Sequence, residues 1–364
     1  MKIVISGVNI VSGGMLTIYQ ECLRELSMYN KNIKIIALVH SKSLFKDLQF
    51  DNIEYMEYPN AKKSWFVRCY YEYYFFNKLS KKIKPDMWLS IHDMSPIVQV
   101  PCQYVYCHNP SPFYDLKLSE LYDDWRFSLF CIFYKYIYQI NIKSNTLIIV
   151  QQEWLRKRFH DMYGLDNIIV SRPRSLSVKR KKNRIIRKCK KLIYPVTAHT
   201  YKNISLLCKV GKKLADLDID IKIFITVNGT EGKYIKKLVE QYGMLPTLEF
   251  IGLQPKHALL KMYEECDAMV FPSRLESWGL PLSEFEATGK PIIVSDLAYA
   301  HEVLDGYEAV SYADPLNVDE WTEKILKLFK NKLTFDKNEA IVPNDRFASN
   351  WSELFKMLGM SSGK

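Results

Sequence analysis

The sequence predicts an α/β protein built from two doubly wound halves, and three observations predict it. Short apolar, β-rich runs alternate with helical stretches from the first residues onward, the pattern of a parallel sheet with crossover helices. The alternation stops at a segment dense in Lys and Arg and then starts again. At 364 residues the chain is long for one hydrophobic core and comfortable for two.

In chain order, Lys2-Ile-Val-Ile-Ser is a first strand ending at Gly13-Gly14, and 15–29 is a helix. Residues 33–39 are a continuous β-rich run, which completes a βαβ opening. Further strands are expected at 87–91, 103–107 and 147–151, with helical segments around 64–82, 116–143 and 153–162. After the basic segment, strands fall at 191–194, 221–226, 248–251, 268–271 and 292–295. Helices fall at 203–217, 232–242, 256–266 and 281–288. The tail, 345–360, is helical and carries Trp351, Leu354 and Phe355, so it is expected to pack back on the N-terminal half. The implied domains are 1–175, with 345–364 returning to it, and 190–344, joined by a charged linker.

Composition narrows the function. The chain is 48% apolar and 25% charged, with 24 Tyr and 18 Phe, which suits a folded globular protein and excludes wholesale disorder. Residues 172–191 hold eleven Lys or Arg and no acid, so this one segment accounts for the whole net charge of +11. Such a block is commonly a solvated linker; an anionic membrane surface is its other natural partner. The eight Cys include no C-x-x-C pair, and Cys102 and Cys107 have no His at zinc spacing. They read as reduced thiols of a cytosolic protein. The N-terminal apolar run 3–11 is broken by Ser6 and Asn9, which fits a strand better than a signal peptide. No run reaches the roughly 18 apolar residues of a spanning helix.

In open α/β sheets ligands sit outside the carboxyl ends of the strands, and a two-half protein is expected to bind its substrate in the cleft between the halves. The strand 268–271 leads into Pro272, a loop to Gly279, and a helix with Pro281 in its first turn. The helix start offers N–H groups and a positive dipole end, for which a diphosphate is a natural guest. Glu276 lies in the loop and Glu284 inside the helix. Carboxylates accept hydrogen bonds from vicinal hydroxyls, so two of them flanking a phosphate site suit a nucleotide sugar.

The segment Glu276-Ser277-Trp278-Gly279-Leu280-Pro281-Leu282-Ser283-Glu284 resembles the E-x7-E motif of the retaining GT-B glycosyltransferases of family 4. Tyr263, Cys266-Asp267-Ala268, Phe271-Pro272-Ser273, Gly289-Lys290-Pro291 and His301-Glu302-Val303 continue the likeness over about 250–305. The resemblance implies the GT-B fold: two Rossmann-like domains, the first for the acceptor and the second for the donor nucleotide. It implies that Glu276 contacts the transferred sugar and Glu284 the ribose hydroxyls, with Ser277, Gly279 and Leu280 on the donor. Tyr194-Pro-Val-Thr-Ala-His-Thr-Tyr-Lys-Asn203 resembles the family's Arg-x5-Lys loop, whose cations grip the diphosphate. Lys202 matches the Lys, but the Arg position holds Val196; His199, Arg274 or a linker cation could take its place, or one cation suffice. Gly13-Gly14 matches the glycine turn placed beside the donor phosphates, although a plain tight turn reads equally from the residues. His108, in Tyr106-Cys107-His108-Asn109-Pro110, matches a His that contacts the sugar; a loop His bonded to backbone is the plainer reading. His92-Asp93 is a second candidate on the acceptor side.

The reading is therefore retaining transfer of a hexose from a nucleoside-diphosphate sugar to a hydroxyl acceptor, a glycan or lipid-linked glycan in bacterial cell-surface polysaccharide synthesis such as O-antigen or capsule. No cofactor and no metal are expected. Asp216, Asp218 and Asp220 match a metal-binding D-x-D pattern but fall at the start of a strand rather than its carboxyl end. Aromatics mixed with cations at 62–84 and 125–140 suit a headgroup interface, or equally an aromatic core or acceptor groove. Reversible attachment to the inner face of the plasma membrane is the expectation they carry. Rivals are a GT-B-like epimerase or phosphorylase, the latter without an identifiable pyridoxal lysine, and an inactive lectin-like relative. A nucleic-acid-binding protein using the basic run is the rival from another class, but the aromatic interleaving of RNA readers is absent from 172–191, and no nucleic-acid partner is expected.

Overall fold

A computed structural model of the protein describes residues 1–116, 124–172, 190–338 and 346–363. The basic run at 172–191 lies outside the described residues except for Arg172, Lys190 and Lys191. The chain divides into two compact units: Met1–Phe113, Phe130–Leu176 and Pro343–Lys364 form the first, and Tyr114–Leu129 with Ser177–Val342 the second.

The first unit holds strands β1 (Lys2–Gly7), β2 (Lys34–Val39), β3 (Ile53–Glu57), β4 (Met87–Ser90), β5 (Cys102–Cys107), β6 (Leu147–Val150), β7 (Ile168–Ser171) and a short β14 (Phe347–Ala348). They form one parallel sheet in the order β14-β7-β6-β5-β4-β1-β2-β3. β1, β2, β4 and β5 are buried along nearly their whole length. Strands covered on both faces read as unbroken apolar runs, which is why they were legible in the sequence. Helix Gly13–Tyr29 covers one face through Ile18, Tyr19, Cys22, Leu23 and Leu26, spaced at helical intervals. The Tyr19 hydroxyl donates to Ile5 O (2.9 Å) and Leu38 O (3.2 Å), tying the helix to β1 and β2.

The C-terminal segment joins this same core. β14 pairs with β7, and helix Trp351–Met357 places Leu354 and Phe355 in the cluster containing Ile3, Ile5 and Leu26. The Phe355 ring meets Tyr29 edge-on at 5.5 Å.

The second unit holds β8 (Lys191–Tyr194), β9 (Lys222–Ile225), β10 (Leu248–Phe250), β11 (Ala268–Phe271), β12 (Ile292–Ser295) and β13 (Val310–Ala313). This sheet is also parallel, in the order β10-β9-β8-β11-β12-β13. Both sheets therefore have the doubly wound order expected of the GT-B fold.

Residues 114–129 belong to the second unit, because Tyr114 and Phe127 pack on Tyr201, with ring centroids at 6.3 and 4.8 Å, and the Arg274 guanidinium lies over the Tyr114 ring at 5.3 Å. The 64–82 helix is not uniform. It runs as α-helix Trp65–Tyr70, a π turn at Tyr71–Phe75, and α-helix Phe76–Ile83.

Candidate functional site

The second sheet reverses its strand order between β8 and β11, the point at which open α/β sheets bind ligands. The loop leaving β8 carries Lys202 in a short 3-10 turn, Thr200–Lys202. The loop leaving β11 carries Glu276. Lys202 Nζ lies 2.6 Å from Glu276 Oε1, and the two side chains are 14% and 11% exposed. Burial pulls the Lys202 pKa down, but the adjacent Glu276 carboxylate more than reverses this and the net direction is up. The pair is a shielded ammonium–carboxylate contact joining the two switch-point loops.

Neighbouring groups hold those loops in place. The Tyr194 hydroxyl donates to Lys202 O at 2.5 Å. Asn203 has φ +58°, and its amide donates to Pro272 O (3.2 Å) and Pro315 O (2.7 Å). The Arg274 N–H donates to Tyr201 O at 2.8 Å. The Tyr299 hydroxyl donates to Ser273 O at 2.7 Å. Burial first, and then the Glu276 charge, push the phenols of Tyr194 and Tyr299 well up, so both stay protonated.

Ser277, Gly279 and Leu280 follow Glu276 directly into helix Leu280–Glu286. Gly279 has φ +86°, a conformation that glycine adopts without a Cβ penalty, and no side chain caps the helix start. Buried Trp278 anchors the loop by donating to Ser283 Oγ at 3.3 Å. Glu284 lies on this helix and pairs with Lys256. Burial and then Glu284 raise the pKa of the nearby Tyr263 phenol. Tyr263 and Lys256 share helix Lys256–Glu265, whose carboxyl end is held by Lys290: the buried ammonium donates to the carbonyls of Tyr263, Glu264 and Cys266 at 3.0, 2.6 and 2.7 Å.

Val196, at the Arg position, is buried, and its backbone N–H donates to Thr226 Oγ1 at 2.6 Å. Burial, and then Lys202, lower the His199 pKa, and its ring stacks on Tyr201. Asp216, Asp218 and Asp220 lie at the amino end of β9, where Asp216 pairs with Lys212 and Asp220 with Lys190.

Gly13, Gly14 and His108 belong to the first unit. Gly13 and Gly14 are the opening residues of helix Gly13–Tyr29, two residues earlier than expected, and Gly13 has φ +72°. Helix Gly13–Tyr29 lacks a side-chain cap at Ser12. His108 follows β5, is buried, and stacks on Tyr106 at 4.4 Å. Burial is the main cause that lowers its pKa to about 4, against an opposing pull from Asp93. The imidazole is therefore neutral at physiological pH, with Gln151 Nε2 3.2 Å from its Nδ1. Asp93 serves the backbone here. Its Oδ1 accepts from the N–H groups of His108 (2.5 Å) and Asn109 (2.9 Å) and from the Tyr138 hydroxyl (2.9 Å). His92 is wholly buried among Ser6, Arg68 and Glu72, with Ser6 Oγ 3.0 Å from Nε2 and Arg68 Nη2 2.7 Å from Nδ1. The π turn begins beside this cluster, at Tyr71.

The structure thus brings Lys202 and Glu276 into contact and sets Glu284, Ser277, Gly279 and Leu280 on one loop–helix segment. Sequence reasoning missed Lys256 as the partner of Glu284 and Asn203 as the tie between loops. A lysine at the start of an exposed helix carries no distinguishing signal, and Asn203 was read only as a helix opener.

Known proteins decide what kind of domain this is. The family model described as "Glycosyl transferases group 1" matches residues 177–346. Over these residues the chain is similar to that family. An uncharacterized glycosyltransferase of Methanocaldococcus jannaschii is 30% identical over 115 residues, 31% of this chain and 29% of that protein. The O-antigen chain mannosyltransferase B of Escherichia coli is 30% identical over 99 residues, 27% of this chain and 26% of that protein. The matches span a third or less of these curated relatives' length. Among solved structures, the lipopolysaccharide outer core galactosyltransferase WaaB superposes with a TM-score of 0.60 at 15% identity over 92% of each chain, a likeness of fold.

Proposed function

We propose that the protein is a retaining glycosyltransferase that moves a hexose from a nucleoside-diphosphate sugar to a hydroxyl of a growing cell-surface glycan. The observation that carries this reading is the Lys202–Glu276 pair at the switch point of the group 1 domain. The ammonium would turn to the leaving diphosphate, with the N–H groups around Gly279 and Leu280 beside it. The Glu276 carboxylate, released from Lys202, would accept hydroxyls of the sugar, and Glu284, released from Lys256, those of the ribose. The resemblance that marks Gly13, Gly14 and His108 as donor residues supports the same reading. In the reaction the anomeric carbon's bond to the diphosphate breaks and its bond to the acceptor oxygen forms on the same face. The acceptor's proton passes to the leaving phosphate. No enzymic nucleophile, cofactor or metal is part of this proposal, and activity that vanished in a chelator would overturn its metal-independence. The similarity to the O-antigen mannosyltransferase supports a surface polysaccharide as acceptor.

A thermal-shift panel of UDP-, GDP-, TDP- and ADP-sugars tests the reading. At least one is expected to stabilise the protein, and Glu284→Ala is expected to remove that shift. Stabilisation by none of them sinks the donor site, and a shift untouched by Glu284→Ala sinks the role given to that residue.

We further propose reversible attachment to the inner face of the plasma membrane. Trp65, Phe66, Tyr70 and Tyr74 are exposed, Phe66 at 90%, and exposed Lys62 and Lys63 precede them. Aromatic rings beside cations suit an anionic headgroup layer, and among the described residues no helix is long and apolar enough to cross a membrane. Flotation with anionic liposomes at low salt should carry the protein upward, and Trp65→Ser with Phe66→Ser should reduce it. A protein that stays wholly in the soluble fraction ends this part of the proposal.

A further inference from the structure

The second unit has a pocket of about 460 Å³ between helices Ile204–Asp216 and Lys233–Tyr242 and the loop that enters helix Val318–Phe329. That is within the range of small-molecule sites, roughly 300–1,000 Å³. Neither Glu276 nor Glu284 lines it.

Its charge is one-sided. Among the described residues, Lys209, Lys237 and Arg274 line the pocket and no Asp or Glu does. On the same two helices Lys212 pairs with Asp216, Lys213 with Asp319 and Lys236 with Glu240. Lys209 and Lys237 at the pocket wall, and Lys233 outside it, have no carboxylate partner among the described residues. Cations that line a concavity without lining acids leave it a surface of positive potential.

Thr200 and Asn203, both buried, also line the pocket. The remaining lining is also particular. Tyr234 and Tyr242 bring phenol rings, and Leu206 and Leu238 an apolar floor. Cations on one side with rings and hydroxyl partners on the other match a ligand with an anionic end and a hydroxylated ring.

We infer that this pocket binds a phosphorylated monosaccharide, its phosphate against Lys209, Lys237 and Arg274 and its ring against Tyr234 and Tyr242. Lys209 and Lys237 are not part of the proposed donor site, so the two readings can be tested apart. Isothermal titration of the full chain with the 1- and 6-phosphates of glucose, mannose and galactose is the direct experiment, with inorganic phosphate and the free sugars as controls. At least one hexose phosphate is expected to bind at least tenfold more tightly than inorganic phosphate or its free sugar. Lys209→Glu with Lys237→Glu should weaken it at least tenfold, while Lys212→Glu with Lys213→Glu should leave it unchanged. Thermal stabilisation by nucleotide sugars should persist in both variants. If the charge-reversed protein unfolds, Lys209→Gln with Lys237→Gln replaces it. The inference is overturned if no hexose phosphate binds, if inorganic phosphate binds as tightly, or if affinity survives in a folded Lys209/Lys237 variant.

Discussion

Replacing Glu276 by Gln keeps the side-chain volume and leaves the Lys202 ammonium shielded from water without its counter-charge. At 2.6 Å and an effective dielectric of about 20, the gross attraction is about 6 kcal/mol, much of it cancelled by desolvation. Removing one partner of a buried pair costs about 3–5 kcal/mol, because the other charge is stranded. Side-chain exposures of 14% and 11% admit some water and favour the lower end, so we expect about 3 kcal/mol for Glu276→Gln. A folding unit of this size loses about 2–4 °C of Tm per kcal/mol, which gives a drop of about 6–12 °C for the second unit. Scanning calorimetry on Glu276→Gln, Lys202→Met and the double variant measures it. The double variant should be less destabilised than the sum of the singles by about 2 kcal/mol. A Tm within about 2 °C of the parent for Glu276→Gln, together with additive single effects, would refute the claim that the two charges meet in the folded protein.

Three further outcomes are expected. The His108 ring should not titrate between pH 5 and 8 by NMR, since its folded pKa is lowered to about 4. The stability tied to it is full above the unfolded value of about 6.5 and lost as pH falls toward 4, and a midpoint near 6.5 would contradict its burial. Gly7→Ala should cost about 1–3 kcal/mol by overpacking, because a Cβ there would strike the Tyr19 ring, which its two hydrogen bonds hold in place; urea unfolding reads this. Lys290→Met should cost about 2–3 kcal/mol by removing charge-assisted bonds to three carbonyls, and an unchanged urea midpoint would show that water replaces the ammonium freely.

What could be read from the sequence followed burial. Strands covered on both faces, such as Val-Phe at the end of β11 or Ile-Ile-Val in β12, stand out as apolar runs. The edge strand β3 does not. Ile53-Glu-Tyr-Met-Glu is partly exposed along its length and carries two acids, which is how an edge is kept from pairing with other chains. β7 repeats the Ile-Ile-Val-Ser of β12 and is as apolar and as buried, while β13 is half Ser and Ala. The Glu276–Glu284 segment was legible because its spacing and neighbours are local. The contact of Glu276 with a lysine 74 residues earlier was not, since it exists only through the strand order that sets β8 beside β11. Val196 was legible as a missing cation, while its burial beside Thr226 at the next strand's end is tertiary. His92 and Asp93 were legible as polar residues at a strand end but not as internal ties, because their partners Arg68 and Tyr138 come from distant helices.

The eighth strand of the first sheet has a consequence for biosynthesis. Roughly 175 residues of chain separate β7 from β14, and ribosomes add about 5–20 residues per second. For about 9–35 s the nascent first unit therefore lacks the strand that extends its sheet beyond β7 and the helix that covers Tyr29 and Tyr104. Every strand of the second sheet, from β8 to β13, leaves the ribosome within that interval. The later-synthesised unit can finish folding first, and an apolar groove on the earlier one stays open to chaperones until Leu354 and Phe355 arrive.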